Sequence, residues 1–268
     1  MYDPPAYLWA ITIAGPTAVA AVTCIVLYGG TVRAGLGRRR AAWLAGAAAV
    51  LFGGWLTASA VIAGRGWYRT LPWFPVAVAD YLGLLLALRR IPVVARALAA
   101  PRMASRLELP HAPRVAGVVF LLYLALGHLP AVFALPAGLG DIAAPLVARG
   151  LTGGTGRRAA LWFNAFGITD LAVALTLGAL TGFHLVNVTP SSAAITELPL
   201  ALIPTATVPL LLALHITASS ALVRAAPGTG ARHRPAHRHR EIAEKEDAAQ
   251  APRVTRRHGP ATPATAHR

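Results

Sequence analysis

Residues 128–141 read HLPAVFALPAGLGD. An apolar run ends there in two prolines, two glycines and a single carboxylate, Asp141, and the reading of this stretch decides how often the chain crosses a hydrophobic layer. Around it the apolar residues fall in blocks at about 7–29, 41–63, 71–88, 115–134, 135–152, 159–184 and 198–222. Blocks of this length suit helices crossing a hydrocarbon core ~30 Å thick, and helices satisfy their own backbone hydrogen bonds there. Five have good span length, 71–88 is near the lower limit, and 135–152 is in doubt, interrupted by Pro136, Gly138, Gly140 and Pro145. If 141–152 turned back as a half-helix, the two later spans would flip. If it crosses, the loops 31–40, 89–114 and 149–158 share one side with the C-terminal tail. Those loops carry four, six and three basic residues, and the opposite side has only Arg65 and Arg69 between crossings. The positive-inside rule prefers the second arrangement.

The expected fold class is therefore all-α: a polytopic transmembrane helix bundle of about seven spans, N-terminus out and C-terminus in. One span is expected to be short and broken near Pro136–Pro145. The expected organisation is a short outer segment at 1–6, a helical membrane domain at 7–223 and a basic tail at 224–268. The tail has little apolar content and is expected to be disordered.

Composition supports this class. The chain of 268 residues is 56% hydrophobic and 13% charged, against roughly 25% charged in soluble domains. Its mean hydropathy is +0.56. A net charge of +15 raises nucleic acid as a partner, but ten of the 25 basic residues lie from Arg224 onward and the rest mostly in short loops. That pattern fits the anionic inner leaflet, with the Arg-rich loops and tail facing it, and not nucleic acid. The segment 91–110, with Arg96, Arg102 and Arg106 among apolar residues and a break at Pro101, reads either as an interfacial helix or as a solvated loop. Arginine outnumbers lysine 24 to 1, the usage of a GC-rich bacterial gene, so the expected location is a bacterial inner (plasma) membrane, multi-pass. Cys24 is the single cysteine, so no intramolecular disulfide is possible.

Ionisable groups inside a span are costly and mark candidate functional positions. Asp80 lies within the third block, Asn164 and Asp170 in the sixth, His215 in the seventh. Counted from the inner ends, Asp80, Asn164 and His215 lie ~9–12 Å deep, in one layer, and Asp170 about 18 Å. Positions 170, 174, 178 and 182 form a stripe of Asp, Ala, Gly and Gly that lets another helix approach, so Asp170 is expected to face protein. There it serves either a helix-to-helix hydrogen bond or proton coupling. His215 divides the same way, between bridging helices and relaying a proton. Asp141 is expected to cap a helix start after Gly140, or to border a binding cavity. Arg114 stands at the inner start of the fourth span, as an anchor or as an anion clamp. Pro16, Pro204 and Pro209 should kink their helices, and Trp55, away from both interfacial tryptophan belts, should pack between helices.

The runs RVAGVVFLLYLALGHLPAVFALPAGLGD, LWFNAFGITDLAVALTLG and PLALIPTATVPLLLALH, within about 113–216, resemble a group of uncharacterised bacterial integral membrane proteins. The matching positions are Arg114, Pro136, Gly138, Gly140, Asp141, Asn164, Asp170, Pro204, Pro209 and His215. The resemblance implies a small polytopic membrane protein and supplies no activity.

Three functions stay open. A small-molecule or ion permease would use Asp80, Asp141, Asn164, Asp170, His215 and Arg114 as its substrate or proton pathway. A non-catalytic subunit or assembly factor would bind a partner, or a second copy, through small-residue helix faces and the tail. A haem- or lipid-handling enzyme is the weakest, since His128 and His184 are the only histidine pair at matching depth. No catalytic residues, cofactor or metal are assigned; His233, His237 and His239 in the tail match no zinc pattern. Retinal binding is excluded by the lack of a lysine in the last span, Lys245 being the only one.

Overall fold

Nine α-helices account for most of residues 3–152 and 156–224, the part of the chain that the computed structural model describes. The tail from residue 225 onward, with His233, His237 and His239, lies outside that part. The helices are α1 (Ala6–Arg33), α2 (Arg38–Gly64), α3 (Trp73–Leu88), α4 (Pro92–Leu98), α5 (Met103–Arg106), α6 (Val118–Ala125), α7 (Ala131–Thr152), α8 (Arg157–Gly182) and α9 (Val208–Arg224). A 3-10 helix, Leu109–Gly117, joins α5 to α6, and a π-helical turn, Ile203–Thr207, leads into α9. The described residues include no strand.

Five helical stretches are long and apolar enough to cross a membrane: Ala6–Arg33, Arg38–Gly64, Met103–Ala125, Arg157–Gly182 and Ile203–Arg224. Two shorter apolar helices, Trp73–Leu88 and Ala131–Val147, accompany them. The segment 91–110 is helical in two pieces, α4 and α5, separated at Pro101.

The opening stretch folds differently from expectation. The chain breaks at 126–130, where Gly127 takes a left-handed φ of 76° that a side chain would resist. From Ala131 the helix then runs unbroken through Pro136 and Pro145. Asp141 is accordingly in mid-helix and caps nothing. Gly138 and Gly140 are not breakers but close-packing points: a Cβ at Gly138 would meet Leu121, and one at Gly140 the Asp170 carboxylate.

The centre of the bundle is the last helix. Every residue from Pro199 to His215 is buried, the mark of a helix surrounded on all sides. It packs against α3, α5 and α8, while α1 packs on α2 and on the 3-10 helix. Pro209 has no N–H to offer the Thr205 carbonyl four residues back. The Trp55 indole N–H of α2 donates to that carbonyl instead, at 2.9 Å. Trp55 also stacks on Tyr81 of α3, ring centroids 4.4 Å apart and 7° from parallel. One side chain thus joins three elements and repairs the bond that proline removes. Trp43, Trp67, Trp73 and Trp162 are exposed at helix ends or in a connection.

Candidate functional site

The site begins with the 3-10 helix. Its two prolines, Pro110 and Pro113, take away N–H donors from a regular α-turn, and the tighter coil has three residues per turn, so side chains at i and i+3 eclipse. Glu108, His111, Arg114 and Gly117 therefore stand in one row. That row is buried, with Glu108 and His111 each 1% exposed and Arg114 3%, whereas Leu109 and Val115 are exposed. Polar groups inside and apolar groups outside is the reverse of a water-facing helix and suits hydrocarbon surroundings.

Arg114 is clamped between two carboxylates. Its Nε donates to Asp141 Oδ1 of α7 at 2.8 Å, and its Nη2 donates to Asp170 Oδ2 of α8 at 2.5 Å. The carboxylates are 13% and 11% exposed. Nη1 of Arg114 has no hydrogen-bond partner. With all three groups ionised, one negative charge is left over in the cluster.

Asn164 and His215 meet below a cap of rings. Asn164 Nδ2 donates to the Ala160 carbonyl at 2.7 Å, which leaves its Oδ1 as the acceptor. His215 Nδ1 therefore carries the hydrogen of the 2.9 Å bond between them. The other ring nitrogen, Nε2, is buried without a partner, as is Nδ1 of His111. The two imidazoles stack with centroids 3.9 Å apart, and Phe163 stands edge-on to His111 at 5.6 Å. Both carboxylate oxygens of Glu108 are likewise buried and without partners.

Three glycines make this arrangement possible, one per helix interface. A Cβ at Gly117 of the 3-10 helix would overlap Asp141, one at Gly140 of α7 would overlap Asp170, and one at Gly167 of α8 would overlap the His215 ring. Each successive element thus lays its ionisable group on a glycine of the element before it. In hydrocarbon, where apolar surface gains nothing by burial, such close approach is what holds helices together.

Two water-sized voids border the ion cluster, and Asp141 lines both. One, of about 30 Å³, is lined by Asp141 and Asp170 with Phe120, Phe133 and Ile195. The other, of about 20 Å³, is lined by Arg114 and Asp141 with Gly15 and Pro16 of α1. A single water needs ~10–15 Å³ by this measure, so each void has room for one or two.

Of the expected positions, the structure brings Arg114, Asp141 and Asp170 into one cluster and Asn164 and His215 into another. Asp80 does not join them: it is exposed on α3, because that helix turns Phe74 and Tyr81 inward instead. Depth alone, read from the sequence, could not say which way it points. His184 is exposed at a φ of 57° just beyond α8, and His128 is half-buried in the turn before α7. No group of three or more His, Cys, Asp or Glu side chains placed to hold a metal occurs among the described residues. Sequence reasoning missed Glu108 and His111. The signal was there, as E-x-x-H-x-x-R with two prolines, but it is visible only at a period of three.

Apolar helices around a buried ionic core define a helical protein with the make-up of an integral membrane protein. Residues 71–223, more than half of the chain, match the family described as a domain of unknown function, DUF8737, and the chain belongs to that family. Neither the curated proteins nor the solved structures contain a match to the chain.

Proposed function

We propose that this protein is a multi-pass membrane permease for protons or a small ion, with the Arg114–Asp141–Asp170 cluster as its closed gate. The observation that carries this reading is that two water-sized voids border the cluster, one lined by Asp141 and Asp170 and the other by Arg114 and Asp141. A buried arginine with two carboxylates has one more negative charge than it can balance. An added proton or cation at Asp141 or Asp170 removes that excess and weakens the hold on Arg114, which couples binding to opening. Glu108 and His111 stand in the row of Arg114, and His215 stacks on His111; each has a buried unpartnered atom able to pass a proton. The voids are too small for an organic solute, so the reading narrows to protons and small ions.

In this reading the five long helices together with α3 and α7 make seven crossings, with the C-terminus inside at the inner membrane of a bacterial cell; the basic loops support that orientation. The test is proton flux into liposomes carrying the purified protein, driven by a potassium diffusion potential and read by an enclosed pH dye. Wild-type protein should accelerate flux, and Asp170→Asn, which can neither take up nor release a proton, and His215→Ala should abolish at least nine-tenths of the increment. Undiminished flux in both variants refutes the pathway.

A second reading, a partner-binding subunit, is favoured by one observation: Asp80 is exposed on α3 beside Ala79 and Gly83, also exposed. A carboxylate turned outward at hydrocarbon depth calls for a basic group on another chain. Co-purification of a partner lost on Asp80→Asn would move the assignment there.

A further inference from the structure

A second feature, remote from the ion cluster, lies between α4, α5 and α9. A cavity of about 660 Å³ there is lined by Arg89, Arg90, Arg102 and Arg224, with Ala95 and Met103 among its apolar walls. No acidic residue lines it, and none of the four guanidinium groups has an ion pair among the described residues. Beside it runs a groove of about 350 Å³ lined by aliphatic side chains from five helices, among them Leu27, Leu51, Leu85, Val94 and Leu214. The hydroxyl hydrogens of the groove's two threonines are already used, since Thr23 donates to the Val19 carbonyl and Thr217 to that of Ala213. Arg89, Leu98 and Thr217 line both spaces, so the basic cavity and the apolar groove adjoin.

We infer that this paired space is a binding site for one anionic glycerophospholipid, its phosphate headgroup among Arg89, Arg90, Arg102 and Arg224 and an acyl chain in the groove. The argument is complementarity at both ends. Guanidinium forks match phosphate oxygens in geometry and charge, and four unpaired arginines repel one another until an anion enters. A soluble phosphate would answer only the basic end and leave the groove open. A neutral lipid would answer only the groove. An anionic lipid answers both, and basic pockets between membrane helices on the positive side bind such headgroups. The site differs from general attraction to an anionic surface, because it predicts one lipid held with defined stoichiometry.

The experiment is native mass spectrometry of the full-length protein from mild detergent, titrated with phosphatidylglycerol or with phosphatidylcholine of the same chains. Wild-type protein should retain a single phosphatidylglycerol and bind phosphatidylcholine at least tenfold more weakly. Each arginine contributes about fivefold in affinity, so the triple variant Arg89→Gln, Arg102→Gln, Arg224→Gln should lose roughly a hundredfold. These arginines pair with nothing in the fold, and a wild-type-like unfolding transition checks that the variant is intact. Ala47→Phe, on the exposed side of the groove, should weaken binding of the lipid without touching the headgroup cavity. Equal retention of the two lipids, or unchanged phosphatidylglycerol binding in the triple variant, overturns the site. Displacement of the adduct by millimolar inorganic phosphate, with Ala47→Phe without effect, overturns the lipid assignment in favour of a soluble anion.

Discussion

Removing the Arg114 guanidinium tests the ion cluster most directly. Arg114→Gln deletes two charge-assisted hydrogen bonds, to Asp141 at 2.8 Å and Asp170 at 2.5 Å. Bonds of that kind contribute about 1.5–3 kcal/mol each. It also leaves two carboxylates, 13% and 11% exposed, with no counter-charge. Breaking a buried pair in this way costs about 3–5 kcal/mol, which agrees with the sum of the two bonds. The folding equilibrium should therefore fall by roughly two to three and a half orders of magnitude. Asp170→Asn behaves differently, because the remaining Arg114–Asp141 pair is balanced; about 1.5 kcal/mol should be lost. Combining Arg114→Met with Asp141→Asn and Asp170→Asn removes all three charges and should recover at least half of what Arg114→Gln loses. Unfolding in mixed micelles, followed by circular dichroism, ranks the four proteins. An Arg114→Gln variant within about 1 kcal/mol of wild type would refute the buried cluster, as would a triple variant no better than Arg114→Gln.

Other substitutions probe the supports of the site. Gly167→Ala pushes a methyl group into the His215 ring and should cost about 1–3 kcal/mol; the shift of the His215 imidazole signals in NMR would show the loss of the Asn164 bond. Trp55→Phe keeps a ring against Tyr81 but orphans the Thr205 carbonyl; a loss of about 1–3 kcal/mol in the same unfolding assay is expected. Arg69→Gln breaks an ion pair with Glu197 whose partners are 42% and 30% exposed, so stability should change by less than about 1 kcal/mol. A larger effect would mean that this pair is buried by something beyond the chain.

The sequence by itself determined the class of the fold. Apolar blocks of span length, a shortage of charges and basic loops are properties of the chain alone; four of those blocks coincide with helices long and apolar enough to cross a membrane, and a fifth such stretch, Met103–Ala125, is displaced from the block at 115–134 by the break at 126–130. It also picked out Arg114, Asp141, Asn164, Asp170 and His215, because an ionisable or amide group in an apolar run is costly wherever it points. What only the tertiary structure decided is direction and partnership. Asp141 lies in mid-helix against Gly117 rather than at a cap, because the chain breaks at Gly127 and the later prolines are accommodated inside α7. Asp80 and His215, at similar depth by counting, face opposite ways, one exposed and the other fully buried. Glu108 and His111 escaped notice because eclipsing at three residues per turn is a property of the coil the chain adopts, and nothing at helical period 3.6 lines them up with Arg114. The pairing of Gly117, Gly140 and Gly167 with three ionisable side chains arises between helices, where sequence spacing carries no information about which faces meet.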